Sequence, residues 1–235
     1  MFSPPPRLNQ DELLDEVGHD PETLRASLEQ VAAVDRWLGG RRGVRRVLRD
    51  VIEVWTSEHP GSAFRILDVG TGNGRVLADI TGWLEGLGLQ VTAVGVDLHP
   101  EIVPLAGARA RLHAVQGDGC RLPFADDSFD AVLTTLTLHH FDDTSALALL
   151  REMARVARFR VIVSDLERSR LHYIGARLLA ETVWRSNPLT RHDGPISVLR
   201  SFTPKELAAL GGEAGLRQVG VRRLHPFRLV MEGTP

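Results

Sequence analysis

The chain has 235 residues, 43% of them hydrophobic and 25% charged, and its formal net charge is −2. That composition excludes a disordered chain, and the longest apolar runs are strand-sized rather than the roughly 18 residues that a membrane helix requires. The near balance of charge argues against a protein that coats nucleic acid or an anionic membrane, and Cys120, the only cysteine, permits neither an internal disulfide nor a cysteine-rich zinc site.

The expected compartment is the cytoplasm, since the opening Met-Phe-Ser-Pro-Pro-Pro lacks a basic region followed by an apolar core. Asp20-Pro21-Glu22 supplies an N-cap with proline at the first helical position, and Leu24, Leu28, Val31, Val34 and Leu38 then recur at helical spacing until Gly39-Gly40. A second helix, about 44–58, turns Val47, Leu48, Val51, Ile52 and Trp55 inward and stops at Pro60-Gly61. Residues 1–60 therefore read as an N-terminal helical cap, and 61–235 as the main domain. Trp37 ends the first helix and reads either as a core residue or as a lid over a site.

From residue 64 the pattern changes to short apolar strands alternating with helices. Strands are expected at 64–69, 91–96, 112–115, 131–134 and 161–163, with helices at about 74–86, 100–109 and 143–157 between them. Continuous apolar strands alternating with helices imply an α/β fold with a parallel sheet covered on both faces. A helix at about 169–186, a loop at 187–201, a capped helix from Thr203-Pro204 and an antiparallel pair of strands, 217–222 and 227–231, complete the chain. Charge is unevenly divided: residues 1–150 carry 13 basic against 22 acidic side chains, and residues 151–235 carry 15 against 8. The basic excess suits either solvated helix faces or a surface toward an acidic or phenolate ligand.

The sharpest motif is Asp68-Val69-Gly70-Thr71-Gly72-Asn73-Gly74-Arg75, a strand that runs into a glycine loop opening a helix. Such a loop lets backbone approach a ligand and presents free N–H groups at a helix start. It departs from the dinucleotide fingerprint, because the third glycine comes one position early and Asp68 would repel a pyrophosphate. Asp97 ends the next strand, where an acid can accept ribose hydroxyls, and Asp118, between Gly117 and Gly119, ends the one after.

These strand-end acids with the glycine loop resemble the class I S-adenosylmethionine-dependent methyltransferases over about residues 62–166, including Leu122-Pro123-Phe124 and the segment Ser128 to Val132. The resemblance implies a doubly wound, mostly parallel seven-stranded Rossmann-like sheet that binds S-adenosylmethionine. It implies that Asp68 and the loop Gly70, Thr71, Gly72 and Gly74 hold the methionine moiety. Asp97 would then bind the ribose, Leu98 pack on adenine and Asp118 accept from its amino group, with Gly119 and Thr135 beside the cofactor. No metal is expected, since the one further acidic pair, Asp142-Asp143, is explained by capping the next helix.

For the acceptor, Thr134-Thr135-Leu136-Thr137 stands where amino-methylating nucleic-acid enzymes carry an Asn/Asp-Pro-Pro-aromatic segment. A small molecule is the expected partner, without nucleic acid or membrane insertion. The layout is similar to bacterial methyltransferases of aromatic polyketide and quinone-type secondary metabolites. It implies O-methylation of a phenolic or polyketide acceptor, with C-methylation of a quinone or aromatic ring, or non-catalytic binding of the cofactor, as alternatives. A neutral imidazole of ordinary pKa, about 6.5, can accept a phenolic proton. His140, His139 and His192 are the candidates, and His140 is favoured because it lies farther past the strand end than His139.

Overall fold

The computed structural model describes residues 3–37, 39–109 and 111–235. Met1 and Phe2 of the expected signal-free N-terminus, and Leu38 of the first helix's periodic face, lie outside the described residues. After a short 3-10 turn at Leu13–Asp15, the order is α1 (Pro21–Trp37), α2 (Gly40–Glu58), β1 (Phe64–Val69), α3 (Arg75–Gly86), β2 (Val91–Asp97), α4 (Val103–Gly107), β3 (Leu112–Gln116) and β4 (Phe129–Thr135). A second 3-10 turn, Leu138–His140, precedes α5 (Asp143–Val156), β5 (Ala157–Leu166), α6 (Arg170–Glu181), α7 (Pro188–Arg200), α8 (Pro204–Glu213), β6 (Arg217–Leu224) and β7 (Arg228–Thr234).

The strands form one seven-stranded sheet in the order β3-β2-β1-β4-β5-β7-β6. The first five are mutually parallel, and β7 runs antiparallel to both β5 and β6. This is the doubly wound sheet expected. Period-two alternation along β1 sends Phe64 and Ile66 to one face, against Val44, Leu48, Trp55, Leu77 and Ile80, and Leu67 and Val69 to the other, against Leu149, Met153 and Leu207. Trp55 meets the Phe64 ring edge-on at 5.1 Å, an arrangement that aromatic quadrupoles favour. No described helix is long and apolar enough to cross a membrane.

Two expectations are corrected here. The segment 187–201, expected as a loop, is the helix α7. Asn187 caps it by accepting from the N–H groups of Leu189 and Thr190 at 3.0 and 3.3 Å, with Pro188 at its start. Internal Pro195 and Gly194 disguise the helix, and packing against α1 and α6 replaces the clean apolar stripe by which a half-exposed helix is read. Trp37, read first as a core residue, is 84% exposed at the end of α1.

Asn187 also donates from Nδ2 to the Thr23 carbonyl at 3.2 Å, so one side chain both starts α7 and ties it to α1. Asn187→Ala is expected to cost about 1–2 kcal/mol, read as a lower urea midpoint with an unchanged slope. A smaller cost than Ala exacts at an ordinary exposed site would contradict this role.

Candidate active site

The chain leaves β1 toward β2 and β3, then returns to place β4 on the other side of β1. At such a reversal the connections diverge and a crevice opens beyond the strand ends, the usual ligand site of open α/β sheets. The glycine loop falls there. Gly70, Gly72 and Gly74 all have positive φ, +72°, +56° and +71°, and the Gly70 and Thr71 N–H groups both donate to the Val96 carbonyl at 2.8 and 2.9 Å. A Cβ on Gly70 would run into Thr137, whereas one on Gly72 would meet open space. Gly70 is therefore required by the protein's own packing, and Gly72 is the position that faces the crevice.

A cavity of about 650 Å³ extends from this loop. Of the residues implied to hold the cofactor, Gly70, Thr71, Gly72, Asp97, Leu98, Gly119 and Thr135 line it. Asp97 accepts from Gly72 N at 2.8 Å and from His99 N at 3.0 Å, and the buried Thr135 Oγ1 has no hydrogen-bond partner. Leu98 is 66% exposed at the rim. Asp68, Gly74 and Asp118 lie off the cavity wall. Asp118 accepts from Cys120 N at 2.8 Å and so closes its own turn. Asp68 sits beneath the loop, accepting from Thr71 Oγ1 at 3.0 Å while its other oxygen has no partner. Burial, with Asp97 adding repulsion, pushes its carboxyl up to about 8.

Two of the three candidate histidines also reach the cavity. His139 donates from Nδ1 to Asp165 Oδ1 at 2.6 Å and from its backbone N–H to Oδ2 at 3.0 Å, which leaves Nε2 free, 3.7 Å from Glu12 Oε1. Burial would raise the Asp165 carboxyl, but His139, with the Leu166 N–H and Arg228 adding to it, holds it below the usual range. His140 lies with Nδ1 2.8 Å from Asp15 and Nε2 3.9 Å from Glu12. Burial would depress its pKa, yet Glu12 and Asp15 prevail and push it up to about 9. His140 is therefore protonated at neutral pH, not the neutral imidazole of ordinary pKa that was expected. His192 faces away from the cavity and pairs with Asp193 at 2.8 Å. Asp142 caps α5 through Ser145 N at 2.7 Å, and Asp143 pairs with Arg7 at 2.5 Å.

Sequence reasoning read residues 1–60 as a helical cap and gave the segment before α1 no place in the site. Glu12, 3% exposed, faces both histidines, and Glu12, His139 and His140 place possible ligand atoms within 4.8 Å of one another. The segment is held by distant groups: Asp193 accepts from Leu13 N and Leu14 N, both at 2.9 Å, and Arg7 and Arg200 bind backbone carbonyls on either side. Also bordering the cavity are Asp35 from α1 and Arg228 from β7, 2.9 Å apart and both wholly buried, with Asp35 near enough to Asp68 beneath the glycine loop to help raise its carboxyl.

A doubly wound sheet with a glycine loop and a ligand cavity at its switch point defines a Rossmann-like nucleotide-cofactor domain. Residues 66–160 match the family model described as Methyltransferase domain. A demethylmenaquinone methyltransferase of Beutenbergia cavernae is 36% identical over 203 residues, covering 80% of this chain and 77% of that one. Another of that name, from Roseiflexus sp. strain RS-1, is 43% identical over 118 residues, 47% of this chain and 45% of that protein. The first curated relatives are thus matched over less than half their length. The fold is shared with a mitomycin 7-O-methyltransferase (TM-score 0.61, 20% identity, 92% of this chain and 59% of the other) and with an S-adenosylmethionine-dependent methyltransferase from Aquifex aeolicus (TM-score 0.59, 18% identity, 92% and 98%). The chain belongs to the class I S-adenosylmethionine-dependent methyltransferase family.

The raised Asp68 pKa has a measurable sign. A carboxyl that holds its proton more tightly when folded contributes stability that is complete below its unfolded pKa, near 4, and is lost as pH rises through about 8. Comparing urea midpoints at pH 5, 7 and 9, the difference between Asp68→Asn and the parent is expected to move in the variant's favour as pH rises. A difference independent of pH would show that Asp68 does not titrate in this range.

Proposed function

We propose that the protein transfers a methyl group from S-adenosylmethionine to a small aromatic acceptor, at a ring carbon of a quinol-type ring. The reading is carried by one observation: a single cavity joins the glycine loop and Asp97 to apolar walls from α1, α6, α7 and the turn between the last two, among them Leu28, Val31, Leu179, Trp184 and Val198. Its volume, about 650 Å³, lies within the range of small-molecule sites, and apolar walls with few polar groups are what an aromatic ligand needs. The unpartnered Thr135 hydroxyl and the open space beyond Gly72 fit a polar cofactor at the loop end. Gly70, Thr71 and Gly72 would hold its methionine part, Asp97 its ribose, and Leu98 and Gly119 its adenine, with Asp68 and Gly74 shaping the loop from outside the cavity wall.

When bound, S-adenosylmethionine supplies a methyl group already activated on a sulfonium. The protein's remaining tasks are to align the acceptor, exclude water and take up a proton. His139 suits the last, because Asp165 holds its Nδ1–H and leaves Nε2 as a proton acceptor on the cavity wall. The choice of carbon rests on the relatives named demethylmenaquinone methyltransferase, the longest of these matches covering 80% of the chain. It replaces the oxygen acceptor taken first from the sequence.

Incubation with methyl-labelled cofactor and a panel of dihydroxynaphthalenes is expected to give ring-methylated products, identified by mass and by the carbon chemical shift of the new methyl. Methyl ethers would restore the oxygen reading, and cofactor binding with no product from any ring would leave a binding protein. His139→Gln is expected to lower turnover by about 10²–10⁴-fold with little change in S-adenosylhomocysteine affinity, whereas His192→Ala leaves turnover intact.

A further inference from the structure

Among the described residues Arg41, Arg168, Arg200 and Arg228 are buried, and the three most deeply buried provide an internal comparison. Arg168, 4% exposed, donates to the carbonyls of Ser201 and Pro5 and to the Glu206 carboxylate. Arg200, 2% exposed, donates to the carbonyls of His139, Gln10 and His140. Both are saturated by protein acceptors, as buried arginines ordinarily are. Arg228 is different. It has no solvent exposure, yet none of its three guanidinium nitrogens makes a hydrogen bond; Asp35, in ion-pair contact at 2.9 Å, also leaves both oxygens without one, and Arg41 Nε stands 3.6 Å from the other Asp35 oxygen. Both side chains border the cavity, and Asp35 also packs against Gly40 at the start of α2.

His172 stacks on Phe227, the residue before Arg228, at 4.7 Å with the planes 4° apart, and both line the same cavity as Leu166, Ala176 and Val198. A donor and an acceptor side by side match a group that is itself both, which is a hydroxyl. A carboxylate ligand would be repelled by Asp35, and an ether or carbonyl would leave Asp35 without a partner.

We propose that Asp35 and Arg228 form the acceptor-anchoring site of this protein, Arg228 donating to the oxygen of an aromatic hydroxyl and Asp35 accepting its proton in a hydrogen bond. The pair holds the ring by a hydroxyl and selects hydroxylated rings over bare ones. This rests on the reading of the cavity as a site for an aromatic acceptor, and it assigns the residues that discriminate there. A site built to hydrogen-bond a hydroxyl rejects the analogue lacking it far more strongly than apolar contact alone can.

The test is equilibrium binding, without turnover, of 1-naphthol, 1-methoxynaphthalene and naphthalene to the protein saturated with S-adenosylhomocysteine. The parent is expected to bind 1-naphthol at least about 100-fold more tightly than naphthalene. In Arg228→Met that ratio is expected to fall to about threefold while S-adenosylhomocysteine affinity is unchanged. Asp35→Asn, which keeps the shape but can donate to an ether oxygen, is expected to bring 1-methoxynaphthalene close to 1-naphthol. A parent with no hydroxyl preference, or an Arg228→Met protein that retains it, would overturn the proposal and leave the pair as a tie between α1 and β7. If Arg228→Met does not fold, the Asp35→Asn result decides: an unchanged preference for 1-naphthol over its ether overturns it. Naphthol bound with the expected selectivity but never methylated would refute the proposed reaction and not this site.

Discussion

Everything at the site depends on the reversal of strand order at β1, with β2 on one side of it and β4 on the other. Because β2 and β3 build outward on one side of β1 and β4 returns on the other, the loops beyond β1 and β4 leave in opposite directions and no segment fills the gap between them. The Val96 carbonyl, accepting from both Gly70 and Thr71, then fixes the glycine loop to the neighbouring strand. Thr137, after β4, packs against Gly70 from the far side of the gap and hydrogen-bonds its carbonyl at 3.2 Å. One edge of the crevice thus buttresses the other, and the loop's shape follows from the sheet rather than from the loop alone.

Buried charge is handled in two ways around this crevice. Arg168 and Arg200 are spent on backbone carbonyls of the N-terminal segment and of the turn after β4, so the basic excess of the C-terminal third serves in part as internal scaffolding. Asp165 is spent on His139. Glu12, Asp15, Asp35 and Arg228 instead face the cavity, where their charges act on one another and on whatever enters. Desolvation makes such groups costly unless they are partnered, and here the partners are largely one another: Asp15 with His140, and Asp35 with Arg228.

Legibility in the sequence followed the distance along the chain over which each feature is built. The glycine loop, Asp97, the capping of α8 by Thr203 and the alternation of strands and helices are local patterns, and each stands close to where its pattern puts it. Glu12 and Arg228 are joined to their partners across more than a hundred residues, and no spacing rule connects residue 12 with 139 or 35 with 228. The histidines were legible as candidates but not in their roles, because what separates His139 from His140 is which carboxylate the tertiary fold sets against each ring. Helix α7 was illegible for a related reason: its residues answer to α1, α6 and the N-terminal segment rather than to a single core face.

The covering of the cavity also has an order in time. Arg168 reaches back 163 residues to Pro5, Asp193 reaches 180 residues to Leu13, and Arg200 reaches 190 residues to Gln10. During synthesis the N-terminal segment is among the first parts of the chain to leave the ribosome, yet its attachments do not exist until residue 200 has followed. Until then the apolar flank of α1 has no roof. The stretch from residue 168 to 200 is therefore what covers the crevice, and the non-local contacts that do so are the kind that slow folding most.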